Sequence, residues 1–312
     1  MTRTESADRP FRFGVYAGAT TDIQAWRHLV RRTEDTGYSS LLVPDHLDQR
    51  WGPLVSLALA AAWTTRIALG TLMLAVDLRR PAVLFKELAT LDQAAPGRLE
   101  IGLGAGWLAT DFASAGVRMD SPGTRIARLD EAARLIRDLW DNDRVTHRGE
   151  HFQAVDAFGA PRPGPARWVM GGGGRRMLRT AVRHADIISL TAQLSSGRKD
   201  PLGANASAAR FDERVAWIRE DAGDRLPDLE LQCLLTDVAV VGDSAGHAER
   251  LSPAFGLSPA EVLESPVVLA GGIGEMCERL YERRARFGIG YWVVPAARLE
   301  EFAPVVRRLA GT

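Results

Sequence analysis

The sequence predicts an α/β fold and, within that class, a (β/α)8 TIM barrel with extended loops at the carboxyl ends of its strands. Eight short apolar segments alternate with longer segments of helical periodicity along the 312 residues. Each apolar segment is hydrophobic throughout rather than at every second position, which is typical of parallel strands covered by helices. Eight such units in about 300 residues fit a closed barrel better than an open sheet. A doubly wound open sheet is the alternative.

Strands and helices alternate from residue 11 onward, so we expect residues 1–10 to be a flexible N-terminus and 11–312 to form one domain. Gly37 caps the end of the first helix, and Pro53 begins the second helix. The expected strands are Phe11–Ala17, Ser39–Val43, Ile67–Ala75, Leu99–Leu103, Arg167–Met170, Asp186–Leu190, Leu229–Val241 and Tyr291–Val294. The expected helices are Ile23–Thr36, Pro53–Trp63, Pro81–Ala95, Ile126–Trp140, Arg175–His184, Ala208–Asp221, Ala245–Leu251, Pro259–Leu263, Gly274–Phe287 and Leu299–Leu309.

Three segments are predicted to be loops because they are rich in turn residues and have no apolar period. Leu108–Thr124 is a long connection, and Asp141–Pro165 is a loop with a small hairpin around His151–Val155. Thr191–Ser207 is predicted to be a mobile loop.

Charge and cysteine content exclude several classes of protein. Lysine plus arginine and aspartate plus glutamate number 39 each, so the formal net charge is zero and nucleic-acid binding is not expected. Two cysteines cannot form a disulfide framework, which fits a reducing cytoplasm. The first ten residues, MTRTESADRP, lack the apolar core of a signal peptide, and no apolar run is long enough to span a membrane. A cytoplasmic protein is therefore expected.

Asp45 and His46 follow the second strand directly. A barrel of this kind has its active site at the carboxyl ends of the strands. Histidine changes its protonation state near neutral pH, so this pair is the candidate for moving a proton. A structural role for His46 is the alternative.

The segment Gly97–Trp107, GRLEIGLGAGW, reads as a turn, a strand and a strand end without side chains. Glycine weakens a strand, so this cluster suggests that a flat group, such as a cofactor ring, approaches the backbone. The spacing GxGxG with no helix directly behind it does not fit a dinucleotide-binding fingerprint. Trp107 is interpreted as a wall of this site, with a place in the core as the alternative.

Four glycines, Gly171–Gly174, separate the fifth strand from a helix that begins Arg175-Arg176. Exposed N–H groups at a helix N-terminus bind anions, and two arginines would add charge-assisted hydrogen bonds. The segment is therefore predicted to bind a phosphate, with a plain flexible turn as the alternative.

Other catalytic signatures have no support. The sequence contains no GxSxG, P-loop or HExxH motif. His147 and His151 could share a metal on a helix, but the turn-rich surroundings favour an exposed loop and no metal is predicted.

In combination, these strand ends resemble the bacterial luciferase-like oxidoreductases, and in particular their deazaflavin (coenzyme F420) branch. The resemblance covers the first 190 residues and is specific only as a combination. The matching pieces are LLVPDHL (Leu41–Leu47), GTLML with RRPAVLFKELATLD (Gly70–Asp92), GRLEIGLGAGW (Gly97–Trp107) and GGGGRRMLRTAVRHADIISL (Gly171–Leu190).

The resemblance implies that the deazaflavin ring lies at the carboxyl ends of the strands. It implies a bulge behind the ring at Leu72-Met73, often with a non-proline cis peptide bond in this family. Gly172, Gly173 and Gly174 would seat the cofactor phosphate, in agreement with the anion site predicted above. The residues implied to border the ring are Asp45, His46, Ala105, Gly106 and Trp107.

The predicted activity is hydride transfer between coenzyme F420 and a small organic substrate, with His46 moving the proton and Asp45 orienting it. One alternative is a flavin mononucleotide (FMN) monooxygenase, and another is a non-catalytic ligand-binding barrel. Family members that oxidise sugar phosphates have an acidic residue where this chain has Trp107, so an apolar or aromatic substrate is favoured. The resemblance also implies a homodimer.

Overall fold

The structure, a computed structural model, describes residues 9–18, 22–48, 51–192 and 203–312, and the strands of its barrel overlap the predicted apolar segments. Residues 1–8 of the predicted flexible N-terminus (residues 1–10) and most of the predicted mobile loop lie outside this described part. The strands are β1 (Arg12–Tyr16), β2 (Ser40–Val43), β3 (Ala68–Thr71), β4 (Leu74–Ala75), β5 (Leu99–Gly104), β6 (Arg144–Arg148), β7 (Gln153–Phe158), β8 (Arg167–Gly172), β9 (Ile187–Leu190), β10 (Glu230–Leu234), β11 (Asp237–Val240), β12 (Val268–Gly271) and β13 (Ile289–Pro295).

The sheet closes into a barrel of eight parallel positions, as predicted. Going around it, β1, β2, β3 with β4, β5, β8, β9, β10 and β13 are hydrogen-bonded to their neighbours, and β13 pairs with β1. The pairing of β3 with β5 leaves no open edge between them, which excludes the doubly wound open sheet.

The helices lie outside the barrel and cover it with their apolar faces. Proline at the first turn begins α2, α3, α5 and α9, where a missing N–H costs nothing. No helix among the described residues is long and apolar enough to cross a membrane. The helices are α1 (Ile23–Asp35), α2 (Pro53–Trp63), α3 (Pro81–Ala94), α4 (Ala109–Ser114), α5 (Pro122–Asp141), α6 (Arg175–His184), α7 (Ala208–Ala222), α8 (Ser244–Phe255), α9 (Pro259–Glu264), α10 (Ile273–Phe287) and α11 (Leu299–Leu309).

The predicted strand Leu229–Val241 is wrong as a single element. The N–H of Leu235 donates to Val293 in the barrel, but the N–H of the next residue, Thr236, donates to Val267. The chain therefore leaves the barrel here, and β11 pairs with β12 in a separate two-stranded sheet. The strand β12 was not predicted from the sequence.

The predicted loops contain more structure than their composition indicates. The connection Leu108–Thr124 includes α4 and the first residues of α5. The loop Asp141–Pro165 contains an antiparallel hairpin of β6 and β7, larger than the one expected.

A charged network lies inside the amino-terminal end of the barrel. Arg12 donates to both Glu100 and Glu230, and Arg167 donates to Glu230 over 2.6 Å. The buried Tyr291 hydroxyl donates to Glu100 over 2.8 Å and contacts the Ser40 hydroxyl. Burial and the nearby Glu100 raise the pKa of Tyr291 well above its usual value, so the phenol stays protonated. This end of the barrel is closed by paired side chains.

We predict that Glu100→Gln destabilises the fold by on the order of 3 kcal/mol, because it removes one carboxylate from a buried, paired network. Urea unfolding followed by circular dichroism measures this. The matched control is Glu300→Gln, which breaks an exposed pair with Arg32 and should change the free energy of unfolding by less than about 1 kcal/mol. Equal effects of the two substitutions would contradict the stabilising role of the network.

Candidate active site

The carboxyl end of the barrel is shaped by a bulge between β3 and β4. Gly70 is opposite Glu100, and Leu74 is opposite Leu103. Three residues (71–73) therefore face two (101–102) on β5, which is the count of a β-bulge. The Leu72-Met73 peptide bond within it is cis, as the resemblance implied.

Thr71 and Gly102 hold the bulge against β5. The Thr71 hydroxyl donates to the Gly102 carbonyl over 2.9 Å and accepts from the Gly102 N–H over 3.0 Å. A Cβ atom on Gly102 would lie 1.9 Å from the Thr71 carbonyl oxygen. Glycine is therefore required here by the bulge.

The other glycines of this strand end also have neighbours within the protein. A Cβ atom on Gly104 would lie 3.4 Å from that of Met73. Gly106 has a φ of +70°, and its Cβ would lie 2.8 Å from the Phe112 ring. Packing within the protein thus requires glycine at positions 102 and 106, whereas a Cβ atom on Gly104 would make only an ordinary contact. The ring site predicted beside Ala105 and Gly106 remains a prediction.

Asp45 and His46 are adjacent in sequence but have different partners. The Asp45 carboxylate is buried and accepts from the Ala75 N–H over 2.9 Å and from Arg79 Nη2 over 2.7 Å. The His46 ring is bonded through Nδ1 to Asp111 Oδ2 over 2.7 Å. These contacts correct the prediction that Asp45 orients the His46 ring, because the carboxylate bonded to the ring is that of Asp111.

Asp111 and Trp107 enclose the His46 ring from the β5 side. Asp111 lies on α4, and its second oxygen accepts from the Leu47 N–H over 3.0 Å. The half-buried Trp107 meets the His46 ring edge-on, with centroids 5.8 Å apart and planes at 88°. Asp111 was missed because its segment was interpreted as a loop.

The predicted anion site lies where β8 runs into α6. Gly174 is the N-cap of α6 and has no side chain to cap the first N–H groups, which an anion can therefore satisfy. A Cβ atom on Gly171 would lie 1.8 Å from the Ser189 carbonyl oxygen, so the close approach of β9 requires this glycine. The geometry thus keeps a helix N-terminus open at the mouth of the barrel.

The two arginines of this segment have different surroundings. Arg175 donates to the exposed Glu220 of α7 over 2.7 Å, so its guanidinium is engaged away from the predicted phosphate. Arg176 lies against α5, since a Cβ atom on Gly123 would be 2.8 Å from Arg176 Nη1. An exposed ion pair contributes little, so both arginines stay predicted for the anion site.

A buried cation that sequence analysis missed lies beside the glycines. Arg214 of α7 donates from Nε to the Gly173 carbonyl over 3.2 Å and from Nη1 to the Asn205 carbonyl over 2.9 Å. Burial lowers the pKa of Arg214 to about 10, which still leaves it charged at neutral pH. Its position on a helix forty residues downstream gave no sequence signal.

The described residues contain no group of three potential ligands that could hold a metal ion. His147 instead contacts Glu131 over 3.2 Å, and the same carboxylate accepts from the His151 and Phe152 N–H groups. These contacts anchor the hairpin to α5.

Comparison with known proteins matches residues 9–252 to the family model of the luciferase-like monooxygenases. The chain belongs to this family. The match covers every strand of the barrel except β13, together with the bulge, the His46 ring and the glycines before α6.

Relatives within the family are proteins named F420-dependent glucose-6-phosphate dehydrogenase. That of Kineococcus radiotolerans is 38% identical over 165 residues, which is 50% of this chain and 48% of the relative. That of Nakamurella multipartita is 32% identical over 232 residues, which is 71% of this chain and 66% of the relative. The chain thus spans about half to two thirds of the length of these relatives.

A solved structure of similar fold is an F420-dependent secondary alcohol dehydrogenase in complex with an F420–acetone adduct. The TM-score is 0.78, and the match covers 96% of this chain and 98% of the other at 20% identity. At that identity the likeness supports the barrel fold and no more.

Proposed function

We propose that the protein is a coenzyme F420-dependent oxidoreductase that transfers a hydride between the deazaflavin and a small organic substrate. The observation that carries this proposal is the arrangement at the mouth of the barrel. The bulge at Leu72-Met73, the His46 ring and the uncapped N-terminus of α6 all lie at carboxyl ends of strands. Two relatives named for F420 support the choice of cofactor.

The chain's own residues divide the binding of the cofactor into two parts. Leu72 and Met73 would back the ring, and Ala105, Gly106 and Trp107 would border it. Gly172, Gly173 and Gly174 with the first turn of α6 would hold the phosphate, and Arg175 and Arg176 would add positive charge. When bound, the deazaflavin supplies or accepts a hydride at its ring carbon.

His46 would give or take the proton that accompanies the hydride. Its Nδ1 is engaged by Asp111, and Nε2 has no hydrogen-bond partner among the described residues. Nε2 is therefore the nitrogen that can meet a substrate carbonyl, imine or conjugated alkene. Leu47 follows His46 in sequence and is 47% exposed, and Trp107 meets the His46 ring edge-on; both side chains are apolar in character, which favours an uncharged substrate.

A second candidate keeps the fold and changes the cofactor to FMN. It is favoured by the family itself, whose model describes luciferase-like monooxygenases. The same anion site would hold the single phosphate of FMN, so the two cofactors must be separated by experiment.

We propose further that the protein is a homodimer in the cytoplasm. The helix α2, PLVSLALAAAW, has no charged residue, and its outer face exposes Val55, Ala58 and Ala62. A helix that is apolar all round is normally covered on every side. The free, buried Cys233 and Cys277 fit a reducing compartment.

Coenzyme F420 should stabilise the protein against heat, by about 2.7 kcal/mol at a concentration of one hundred times Kd. Thermal unfolding with F420 and with FMN measures this. Gly173→Asp should abolish the stabilisation by placing a carboxylate in the phosphate site, whereas Gly242→Asp, at a position with open space, should not. Stabilisation by FMN alone would replace the proposal by the monooxygenase, and stabilisation by neither cofactor would contradict both.

His46→Ala should slow oxidation of reduced F420 by about 10²–10⁴-fold while the Kd for F420 stays within about twofold. Stopped-flow absorbance in a single turnover, with acetone and cyclohexenone as probe substrates, measures the rate. An unchanged rate would support the non-catalytic or structural alternative for this histidine.

Val55→Glu should convert a dimer into a monomer, because it puts a charge in the apolar face of α2. Light scattering coupled to size-exclusion chromatography gives the mass. Val155→Glu is the matched control, since Val155 is 74% exposed and Val55 is 69% exposed, but Val155 lies on the hairpin. A monomeric wild-type protein, or a dimeric Val55→Glu variant, would contradict the dimer proposal.

A further inference from the structure

Two buried carboxylates, those of Asp45 and Asp111, lie next to His46 and have different hydrogen-bond partners. Asp45 is 5% exposed and lies just after β2, whereas Asp111 is 7% exposed and lies on α4. A buried carboxylate is retained only where its oxygens are hydrogen-bonded, so the partners of each group indicate its role.

The Asp45 carboxylate serves the wall of the site. Both of its oxygens are occupied by Arg79, and one of them also accepts from the Ala75 N–H. Ala75 belongs to β4, the strand that resumes directly after the bulge. Asp45 therefore ties the end of β2 to the far side of the bulge, and its hydrogen bonds within the described residues go to Ala75 and Arg79 rather than to the His46 ring.

The Asp111 carboxylate serves the histidine. One oxygen meets His46 Nδ1 over 2.7 Å, and the other accepts from the backbone N–H of the next residue, Leu47, over 3.0 Å. A carboxylate can only accept hydrogen bonds, so Nδ1 must carry the proton. In the neutral ring, Nε2 is then the acceptor, and Trp107 contacts the ring edge-on.

We propose that the two carboxylates are positioning residues with separate tasks: Asp111 fixes the tautomer and orientation of His46, and Asp45 fixes the bulge that backs the cofactor ring. Both tasks are defined by the proposed function, so this inference rests on it. Neither carboxylate touches the reacting atoms. Asp111 contacts the His46 ring directly, and the Asp45–Arg79 ion pair lies on the preceding residue.

A purely structural role for both residues makes a different prediction. Buried carboxylates that only stabilise the fold would, when replaced by the neutral amide, lower stability without changing either the histidine tautomer or the affinity for the cofactor. Asp92 is such a residue: it is 1% exposed and accepts from the N–H groups of Gly97 and Gly164, away from the mouth of the barrel. Asp92→Asn is therefore the matched control.

The experiment compares wild-type protein with Asp45→Asn, Asp111→Asn and Asp92→Asn by two measurements. Nitrogen-15 NMR of histidine-labelled protein at alkaline pH, with His46 assigned by His46→Gln, reports the tautomer of the neutral ring and needs no substrate. Fluorescence titration with oxidised F420 and with FMN reports the Kd of each cofactor.

We expect His46 to carry its proton on Nδ1 in the wild type and in Asp45→Asn. In Asp111→Asn the proton should move largely to Nε2, because the amide oxygen keeps the hydrogen bond from the Leu47 N–H and the NH2 group that replaces the second oxygen can only donate to an unprotonated Nδ1. The cofactor Kd should rise about tenfold in Asp45→Asn and stay within about twofold in Asp111→Asn. Asp92→Asn should change neither readout.

An Nε2-protonated ring in the wild type, an unchanged tautomer in Asp111→Asn, or an unchanged Kd in Asp45→Asn would overturn the inference. So would the crossed result, in which each variant changes the other's readout. If the wild type binds neither F420 nor FMN, the proposed function and the task assigned to Asp45 fail together, while the tautomer measurement still decides the task of Asp111.

Discussion

The architecture of the site depends on how β3 passes its neighbour β5. Between Gly70 and Leu74 the chain has one residue more than the facing part of β5. The Thr71 hydroxyl accommodates this extra residue by exchanging two hydrogen bonds with the backbone of Gly102. These two hydrogen bonds replace regular backbone hydrogen bonds between the strands, and they require glycine at position 102 of β5. The consequence is a wall at the carboxyl end of the barrel, made by Leu72 and Met73, that a regular strand could not provide.

The rest of the mouth is arranged around this wall. Asp45 ties the strand after the bulge to the end of β2, which leaves the next residue, His46, at the rim. Asp111 and Trp107 reach the same histidine from the chain that follows β5. On the other side of β5, the glycines after β8 bring an uncapped helix N-terminus to the rim. The bulge, the His46 ring and the uncapped N-terminus of α6 thus occupy neighbouring strand ends, and the proposed hydride transfer rests on this arrangement.

Local sequence features predicted the parts of this arrangement that depend on local physics. Apolar runs, helix caps and glycines specify the barrel and the strand ends, because each acts over a few residues. The missed features depend on partners that are far apart in sequence. Asp111 and His46 are 65 residues apart in sequence, and Arg175 and its partner Glu220 are 45 residues apart. The chain leaves the barrel at Thr236 because the Val267 carbonyl accepts the Thr236 N–H. Hydrophobic periodicity along the sequence does not specify such distant partners. The glycines of β5 were found, and for Gly102 the structure adds a neighbour that the sequence did not indicate, the Thr71 carbonyl of the bulge.

The most direct test of the account is a crystal structure of the protein with oxidised coenzyme F420. We predict that the deazaflavin ring binds against the Leu72-Met73 wall and that its phosphate binds at the N-terminus of α6. His46 Nε2 should face the open side of the ring, with Nδ1 still bonded to Asp111. A ring bound away from the bulge, or a phosphate bound away from Gly172–Gly174, would contradict it.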